Sequence, residues 1–418
     1  MSLITQAPRG TQDVLPADSY KWQYVEQTAL AIARDFGFHE IRTPVFEHTN
    51  LFQRSVGETT DVVQKEMYTF EDKGGRSITL RPEGTAGAAR AVLEHGLVNS
   101  ALPVKVSYLT SCYRYEKSQK GRYREFHQFG VECFGASAPQ ADAEVIALAL
   151  QVLNTVGLKG VALHINSIGC PTCRAKYHEA LKAYFESHKG DLCGTCLDRL
   201  DRNPMRILDC KSPVCQGIAA DAPVMMDYLC DDCAAHFEQV KGCLDAAELP
   251  YVVDTHIVRG LDYYTRTVFE LVSENGLVVC GGGRYDGLIE ELGGPALSGI
   301  GFGMGLTRVV LALEQAGLAN VAAPAPRLYI AALGEGALVE ALAITERLRR
   351  DGVYVECDNM GRGLKAQMKY ANKIGADYTL ILGDSEIESG RAQLRDMKNS
   401  SQYEVELATF HLPECHEG

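Results

Sequence analysis

The stretch from Arg114 to Glu132, RYEKSQKGRYREFHQFGVE, constrains the fold of this chain more than any other segment. It predicts a long antiparallel hairpin, with a strand over 104–116, a basic loop over 117–121 and a second strand over 122–134. Because side chains alternate faces along a strand, the even-numbered positions share one side. That side carries Arg114, Glu116, Arg122, Arg124, Phe126, Gln128 and Glu132. It suits a ligand with phosphates, a flat ring and a polar end; the alternative is a solvated sheet face.

Composition limits the class of protein. The 418 residues predict two or three domains, and 46% hydrophobic with 23% charged residues is typical of globular proteins. The chain has no apolar run of membrane-spanning length and no secretory signal, so we expect a cytoplasmic protein without a membrane partner. The net charge of −13 argues against non-specific binding of DNA or other nucleic acid. A local basic patch remains compatible with it.

Shifts in pattern predict an α+β protein. A first domain, an antiparallel sheet with flanking helices, covers 1–166 and resumes over 251–321. A helical, cysteine-rich segment over 167–250 is inserted into it. An Ala/Pro linker at 322–327 leads to an α/β domain over 328–418, in which strands alternate with helices.

Two details of the first domain follow from local signals. Residues 38–45 read as a strand broken by Pro44, since proline within a strand is tolerated mainly at an edge or bulge. Thr85 is a plausible N-cap for a helix over 86–95.

Glycine occupies every second position from Gly299 to Gly305, which strips one face of a strand of its side chains. A flat ligand could lie against that backbone. Arg308 follows, where a guanidinium can stack on a purine or meet a phosphate. Neither this spacing nor GGGRYDG from Gly281 matches a dinucleotide fingerprint or a P-loop, so a nucleotide site here is of another kind. The alternative is a tightly packed sheet interior.

Nine of the 14 cysteines lie between Cys170 and Cys243. Eight of them form close pairs, enough for two tetrahedral thiolate sites that would hold structural zinc: Cys170, Cys173, Cys193, Cys196, Cys210, Cys215, Cys230 and Cys233. If the ends of the insertion emerge close together, the first two pair with the last two, and the other four form an inner site. The alternative is a set of partly buried free thiols.

Three stretches resemble the motifs of class II aminoacyl-tRNA synthetases. They are 38–45 with its proline, 114–132 with the YRYE core at 113–116, and 299–308. Thr307 departs from the third motif, which usually has an acidic residue before its arginine.

Further segments narrow the resemblance to the histidyl-tRNA synthetase family. RGLDYY from Arg259 and GGGRYDGL from Gly281 resemble signature elements of that family. RPEGT from Arg81 and QKGRYREFHQ from Gln119 match as well, so the resemblance covers nearly the whole chain. The insertion of this family generally lacks the full cysteine set, so the resemblance implies no metal there.

The resemblance implies an enzyme that activates histidine with ATP and Mg²⁺, and then transfers it to the 3′ end of tRNA(His). It also implies a homodimer built on the first motif. The implied histidine-binding residues are Glu83, Thr85, Gln128, Glu132, Tyr264 and Tyr285. The implied ATP-binding residues are Arg114, Glu116, Arg122, Phe126, Arg259 and Arg308. Arg259 and Arg114 would meet the α-phosphate and carry the catalysis.

Two sets of residues are candidates for tRNA contact. By resemblance, Gln119 and Arg122 in the hairpin loop would touch the acceptor end. Arg362, Lys365, Lys369 and Lys373 fall at helical spacing and predict a basic stripe on one helix, which the resemblance assigns to anticodon binding. As a bare pattern such a stripe is more often a solvated face.

One rival function belongs to a different class. An inert relative of this family serves as the regulatory subunit of ATP phosphoribosyltransferase and senses histidine. Such proteins usually lack the carboxyl-terminal domain and degrade the ATP-binding arginines. Here the domain from Leu328 is present, as are Arg114, Arg259 and Arg308.

Overall fold

The computed structural model describes residues 5–57, 60–117, 119, 121–208, 210, 212–257, 260–318, 321 and 323–412. The chain divides into two compact units, 1–321 and 322–418. Mixed α and β structure fills both units, in agreement with the predicted fold class. Within the described residues, none of the helices combines the length and apolar character needed to cross a membrane.

The large sheet of the first unit has eight strands. In chain order they are β1 (His39–Glu40), β5 (Val104–Tyr113), β6 (Glu125–Phe134), β7 (Ala162–Ser167), β8 (Val252–Val253), β9 (Thr265–Val272), β10 (Val278–Arg284) and β11 (Gly299–Gly305). Their order across the sheet is β1-β5-β6-β11-β10-β9-β7-β8. All neighbours are antiparallel except the two outer pairs, β1 with β5 and β7 with β8.

The predicted hairpin is confirmed, and both strands are shorter than expected. β5 ends at Tyr113 and β6 begins at Glu125, with Tyr113 paired to Glu125 at the open end. Beyond that pair, the backbone N–H of Arg114 donates to the carbonyl of Arg124 at 2.9 Å. Arg114, Glu116 and Arg122 therefore lie in the connection rather than on the strands.

A second, three-stranded sheet contains β2 (Phe46–His48), β3 (Tyr68–Glu71) and β4 (Ser77–Leu80) in the order β2-β4-β3. The predicted strand over 38–45 is wrong in its bounds, because Pro44 separates β1 from β2 and the two lie in different sheets. Proline lacks an N–H, so a ladder cannot continue through it. The Arg81 guanidinium holds the segment between β1 and β2, because it donates to the carbonyls of Thr43 at 2.9 Å and Pro44 at 3.1 Å.

The helices of the first unit cover the large sheet, flank the small sheet or form the insertion. In chain order they are α1 (Pro16–Asp35), α2 (Thr49–Val56), α3 (Thr85–Glu94), α4 (Pro139–Thr155), α5 (Pro171–Ser187), α6 (Gly194–Arg202), α7 (Pro213–Ala220), α8 (Asp231–Ala246), α9 (Leu288–Glu291) and α10 (Leu306–Gln315). The main core joins α1, α4, α8 and α10 to one face of the large sheet. The opposite face of the sheet packs against α3 and α9 around Tyr108 and Tyr285.

The insertion contains α5 to α8 and leaves the sheet between β7 and β8. These two strands are parallel neighbours, with His164 paired to Val252, so the insertion starts and ends at one edge. Its own core gathers apolar side chains and cysteines of α5, α6 and α7. α8 differs, because Phe237, Val240 and Leu244 are buried in the main core.

In its described residues, the second unit contains a five-stranded sheet and three α-helices. Its elements are β12 (Leu328–Ala332), α11 (Glu335–Arg350), β13 (Val355–Cys357), α12 (Leu364–Lys373), β14 (Tyr378–Leu382), α13 (Asp384–Ser389), β15 (Arg391–Asp396) and β16 (Gln402–Glu406). The strand order is β13-β12-β14-β15-β16, with the first three strands parallel. The predicted alternation of strands and helices is confirmed.

Candidate active site

A cavity of about 580 Å³ lies on the large sheet where the hairpin meets β10 and β11. It brings together seven residues singled out in the sequence: Arg114, Glu116, Gln119, Arg122, Phe126, Gln128 and Arg308. Gly281, Gly303 and Gly305 form part of its floor, and Glu270 lines it as well. The structure therefore places cations, an aromatic ring and bare glycine backbone around one space.

Three arginines give this cavity its charge. The Arg114 side chain donates to the carbonyl of Pro82 at 2.7 Å, and its guanidinium lies 5.5 Å from the centre of the Phe126 ring. Arg308 donates to the carbonyls of Gly121 at 3.2 Å and Val278 at 2.8 Å. Burial, and then the positive charge of Arg122, lower the pKa of Arg308. A polyanion in the cavity would offset this crowding of like charges.

Arg124 departs from the prediction that it shares this face. Its guanidinium lies over the Tyr115 ring, 3.8 Å from the ring centre. Its backbone N–H donates to the carbonyl of Gly10 at 2.7 Å. The cavity lining does not contain it.

The glycines of β11 make room for side chains as well as for a ligand. A Cβ at Gly301 would overlap the Glu132 carboxylate, and one at Gly299 would overlap the Tyr285 ring. A Cβ at Gly303 would come within 3.2 Å of the Gln128 amide. Half of the stripped face is thus filled by buried protein side chains, and only its end near Gly303 and Gly305 opens into the cavity.

Behind the cavity lies a buried cluster centred on Glu132, which is fully buried. The hydroxyl of Tyr108 donates to Glu132 Oε1 at 2.8 Å, and the hydroxyl of Tyr285 donates to Oε2. Burial raises the pKa of Glu132 to about 8, against the opposing effect of the hydrogen bonds from Tyr285, Thr85 and Tyr108. A carboxylate offers about four acceptor positions, so these contacts leave capacity for a ligand N–H.

Glu83 and Thr85 lie beside this cluster at the start of α3. Thr85 is the first residue of α3 and not its N-cap, because the cap position falls on Gly84. The Glu83 carboxylate instead accepts from the backbone N–H of Thr85 at 2.6 Å and of Ala86 at 2.9 Å. Burial raises the pKa of Glu83, and these two N–H groups oppose that rise.

Tyr264 is buried next to Tyr263, with ring centres 4.6 Å apart, and Tyr263 packs edge-on against Tyr285 at 5.6 Å. Of the predicted histidine-binding residues, only Gln128 lines the open cavity. Glu83, Thr85, Glu132, Tyr264 and Tyr285 are buried in the adjoining cluster. Val258 and Arg259 lie outside the described residues.

The sequence reasoning missed Tyr108, Tyr263 and Glu270. Tyr108 had a signal, because it shares the even-numbered face of β5 and pairs directly with Gly130 of β6. A Cβ at Gly130 would overlap the Tyr108 ring, so a large ring beside a glycine marks the same face. Tyr263 also had a signal, because it lies within the RGLDYY motif. Glu270 reaches the site through the place of β9 in the strand order, which periodicity does not give.

A larger cavity, about 900 Å³, lies between β2, α2 and α3. Its polar lining includes Glu47, Arg90 and Glu94, which are paired with one another through Arg90. The glycine strand and the buried tyrosines do not contribute to it. The smaller cavity, where cations, carboxylates, an aromatic ring and glycine backbone converge, is therefore the candidate active site.

The eight paired cysteines form two groups in the insertion. The outer cluster is Cys170, Cys173, Cys230 and Cys233, and the inner cluster is Cys193, Cys196, Cys210 and Cys215; in each, the four sulfurs lie within 4.8 Å of one another. This is the grouping that the sequence favoured.

Distances in both clusters fit a thiolate site better than a disulfide. Cys170 Sγ lies 3.5 Å from Cys173 Sγ and 4.0 Å from Cys230 Sγ, and Cys193 Sγ lies 3.8 Å from Cys210 Sγ. Tetrahedral zinc with bonds of about 2.3 Å places sulfurs about 3.8 Å apart, whereas a disulfide needs about 2.0 Å. The backbone N–H of Cys196 and then its thiol lower the pKa of Cys193 to about 7.

The basic residues of the second unit are only partly as expected. Lys365, Lys369 and Lys373 are exposed on α12. Arg362 precedes the helix, and its side chain donates to the buried carboxylate of Asp358 at 2.7 Å and lies over the Tyr370 ring. The predicted stripe on the helix therefore consists of lysines alone, since Arg362 is held at the helix entrance.

Comparison with known proteins identifies relatives along the whole chain. The family model "Histidyl-tRNA synthetase" matches residues 10–172 and 218–309, and the model "Anticodon binding domain" matches 327–411. The chain is 54% identical over 405 residues to the histidine–tRNA ligase of Caldicellulosiruptor bescii, covering 96% of each chain. It is 53% identical over 408 residues to that of Clostridium novyi, covering 97% of each.

A solved structure gives the same result. The histidyl-tRNA synthetase of S. aureus, solved in its apo form, is 40% identical, with a TM-score of 0.82. The match covers 97% of this chain and 98% of that one.

Proposed function

Since this chain belongs to the histidyl-tRNA synthetase family and acts as a histidine–tRNA ligase, we propose how its residues divide the two steps of that reaction. The substrates are histidine, ATP with Mg²⁺ and tRNA. The rival reading as an inert regulatory subunit is not favoured, because the relatives above are ligases and the anticodon-binding model matches the second unit.

The cavity would bind ATP. Phe126 would lie under the adenine, with Arg308 on the nucleotide and Arg114 at the α-phosphate. The observation that supports this is the convergence of Arg114, Arg122 and Arg308 on one space floored by glycine. Glu116 and Glu270 also line it, and carboxylate oxygens are the ligands that Mg²⁺ prefers.

The buried cluster beyond Gln128 would bind histidine. Glu132 would accept the N–H of the neutral imidazole, and the hydroxyl of Tyr264 would donate to the other ring nitrogen. Glu83, Thr85 and Gln128 would hold the ammonium end, with Tyr285 closing the pocket. Such a pocket rejects analogues strongly, because a wrong side chain leaves buried polar groups unpaired.

Arg259 would stabilise the transition state of activation. Attack by the histidine carboxylate on the α-phosphorus breaks the bond to the β-phosphate and gives histidyl-adenylate and pyrophosphate. Negative charge builds on the phosphate oxygens during this step, and a guanidinium there favours the transition state over the ground state. The chain supplies positioning and charge, and needs no nucleophile of its own.

Histidine-dependent exchange of pyrophosphate into ATP tests the assignment as a whole. The reaction should require histidine, and imidazole-bearing analogues without the α-amino group should fail to replace it. Exchange that proceeds equally without histidine would reject the proposed function.

The hairpin loop would contact the acceptor end of tRNA. Gln119 and Arg122 close the loop with reciprocal backbone hydrogen bonds of 3.1 and 2.9 Å, and both line the cavity mouth. In the second unit, the exposed lysines of α12 would follow the backbone of the anticodon region, with Arg362 at the helix entrance.

Gln119→Ala should slow histidine transfer while sparing adenylate formation, because in this proposal the partner of its side chain is the acceptor end of tRNA rather than ATP. We expect roughly a tenfold loss in tRNA charging, the size of one lost hydrogen bond to a charged group. Charging assays and pyrophosphate exchange on the same preparation separate the two steps. An equal loss in both would contradict the role.

The two cysteine clusters would each hold one structural zinc ion. Four thiolate ligands make a closed site, which leaves no position for a substrate, so the ions would stabilise the insertion. We expect two zinc equivalents per chain by elemental analysis of protein purified without chelator. Zinc well below one equivalent, with all eight thiols titratable, would favour free cysteines.

A homodimer in the cytoplasm completes the proposal. Val45, Phe46 and Phe70 are exposed apolar side chains close to the first motif, which suits a surface that a second copy would cover. Light scattering at assay concentrations tests the dimer. We infer the cytoplasmic location because the substrate of the enzyme is tRNA.

A further inference from the structure

The segment from Gly260 to Tyr264, here the 260–264 loop, connects Arg259 to β9 and borders both parts of the candidate site. Gly260 and Leu261 line the ATP cavity. Tyr263 and Tyr264 are buried beside the Glu132 cluster. The position of this loop therefore sets the position of Tyr264 in the candidate site, and Arg259 directly precedes the loop in the sequence.

The insertion holds the front of this loop through Arg206. One terminal nitrogen of the Arg206 guanidinium donates to the carbonyl of Gly260 and to Asp262 Oδ1, each at 2.9 Å. The Arg206 side chain is 12% exposed and the Asp262 side chain 32% exposed, so this contact lies at the border between the insertion and solvent. Gly260 directly follows Arg259 in the chain.

Arg206 is in turn fixed beside the inner cluster. It lies in a short 3-10 turn, Pro204–Ile207, and the backbone N–H of Cys210 donates to the carbonyl of Ile207 at 3.0 Å. Arg199 follows Cys196 on α6 and donates to the carbonyl of Arg206 at 2.9 Å. Both sides of the turn are thus tied to cysteines of one cluster.

A second arginine holds the end of the loop from the outer cluster. Arg174 follows Cys173 in the first turn of α5, and its backbone N–H donates to the carbonyl of Cys170 at 3.0 Å. Its side chain donates to the carbonyl of Tyr264 at 3.2 Å. Each cysteine cluster therefore has one arginine that reaches the 260–264 loop.

We propose that Arg206 and Arg174 are positioning residues for histidine activation, and that zinc in the two cysteine clusters keeps them in place. This inference rests on the proposed function. It differs from a purely structural role for the metal, because it makes the geometry of the 260–264 loop depend on the insertion. A loop that must be ordered at each turnover adds its conformational entropy to the barrier.

The primary test is Arg206→Gln, compared with Arg202→Gln on the neighbouring exposed surface of α6. We expect Arg206→Gln to lower kcat/KM for histidine in pyrophosphate exchange about tenfold, the equivalent of one charge-assisted hydrogen bond. KM for ATP should stay within about twofold, zinc content should stay at the wild-type level, and Arg202→Gln should match wild type. Arg206→Lys should recover part of the loss, because an ammonium can reach one of the two acceptors.

The metal is tested by combining variants. Cys210→Ser should reduce zinc by one equivalent and lower histidine affinity in calorimetry. In an Arg206→Gln background, the same change should add little further loss, because both act through one contact. Arg174→Gln should also lower kcat/KM for histidine about tenfold. In the double variant with Arg206→Gln, the loss should equal or exceed the product of the two single losses.

The outcomes separate this inference from the function on which it rests. If wild-type protein shows no histidine-dependent exchange, the proposed function fails. If wild type is active and Arg206→Gln, with zinc intact, keeps kcat/KM for histidine within twofold, the positioning role alone fails. Tighter histidine binding in Arg206→Gln would also overturn it, because the contact would then be holding the loop away from its active position. Full additivity of Cys210→Ser and Arg206→Gln would overturn the link to the metal.

Discussion

Arg259→Ala is expected to lose adenylate formation by a factor of about 10²–10³ while retaining histidine binding. The guanidinium is proposed to act on charge that develops at the α-phosphate, and removing one such donor in other enzymes has effects of this size. Because the interaction is stronger in the transition state than in the ground state, kcat should fall much more than the affinity for either substrate. Pyrophosphate exchange measures the first quantity, and calorimetry with histidine measures the second.

Two controls make this result specific. Arg259→Lys should remain poor, since an ammonium lacks the planar fork of a guanidinium. Thermal unfolding of Arg259→Ala should stay close to wild type. Exchange in Arg259→Ala within a few-fold of wild type would remove Arg259 from the mechanism.

Glu132→Gln is expected to weaken histidine binding by about 10- to 100-fold and to leave ATP binding nearly unchanged. The change removes a buried carboxylate that already accepts from Tyr108 and Tyr285, so the imidazole loses a charge-assisted partner. Tyr264→Phe should act in the same direction with a smaller loss. Glu116→Gln, in the ATP cavity, is the matched control and should affect ATP more than histidine. Unaltered histidine affinity in both Glu132→Gln and Tyr264→Phe would place the ring-binding site elsewhere.

The raised pKa of Glu132 adds a second readout. With a pKa of about 8, the empty site holds a proton at pH 7, whereas an imidazole N–H is best accepted by the ionised carboxylate. Histidine binding should therefore lower this pKa and release up to one proton. The affinity should rise between pH 7 and pH 8 and then level off. Calorimetry in two buffers of different ionisation heat gives the number of protons released when histidine binds. This number should be near zero for Glu132→Gln.

The parts of the fold that rest on local pattern were predictable. The hairpin and the α/β unit follow from strand alternation and helical spacing. The grouping of the cysteines follows from the expectation that both ends of the insertion leave the first domain close together. The contact between Glu132 and Tyr285 does not, because it depends on β11 lying between β6 and β10. The sequence shows the glycines of β11, but only the strand order shows which side chains fill the space they leave.

Three local predictions failed for reasons that are themselves local. Pro44 ends one strand and redirects the chain into another sheet, where the sequence suggested one continuous element. Thr85 is not the helix cap because the helix begins one residue earlier than predicted, and the Glu83 carboxylate accepts from the first backbone N–H groups of the helix, those of Thr85 and Ala86. Arg362 does not belong to the basic stripe, because its side chain donates to the buried carboxylate of Asp358, which precedes the helix in sequence.

The parallel pairing of β7 with β8 shows how much of the insertion the large sheet requires. Parallel neighbours cannot be joined by a tight turn and need a crossover of roughly a dozen residues or more, which α8 already supplies from within the main core. Everything from α5 to the start of α8 is therefore a detour that leaves and returns at the outer cysteine cluster, and the architecture of the sheet does not require it. A shortened chain that keeps α8 should still build the sheet and its cavity. Under the proposal above, what this detour adds is the contact of Arg206 and Arg174 with the 260–264 loop, so its contribution is to the placement of that loop rather than to the building of the sheet.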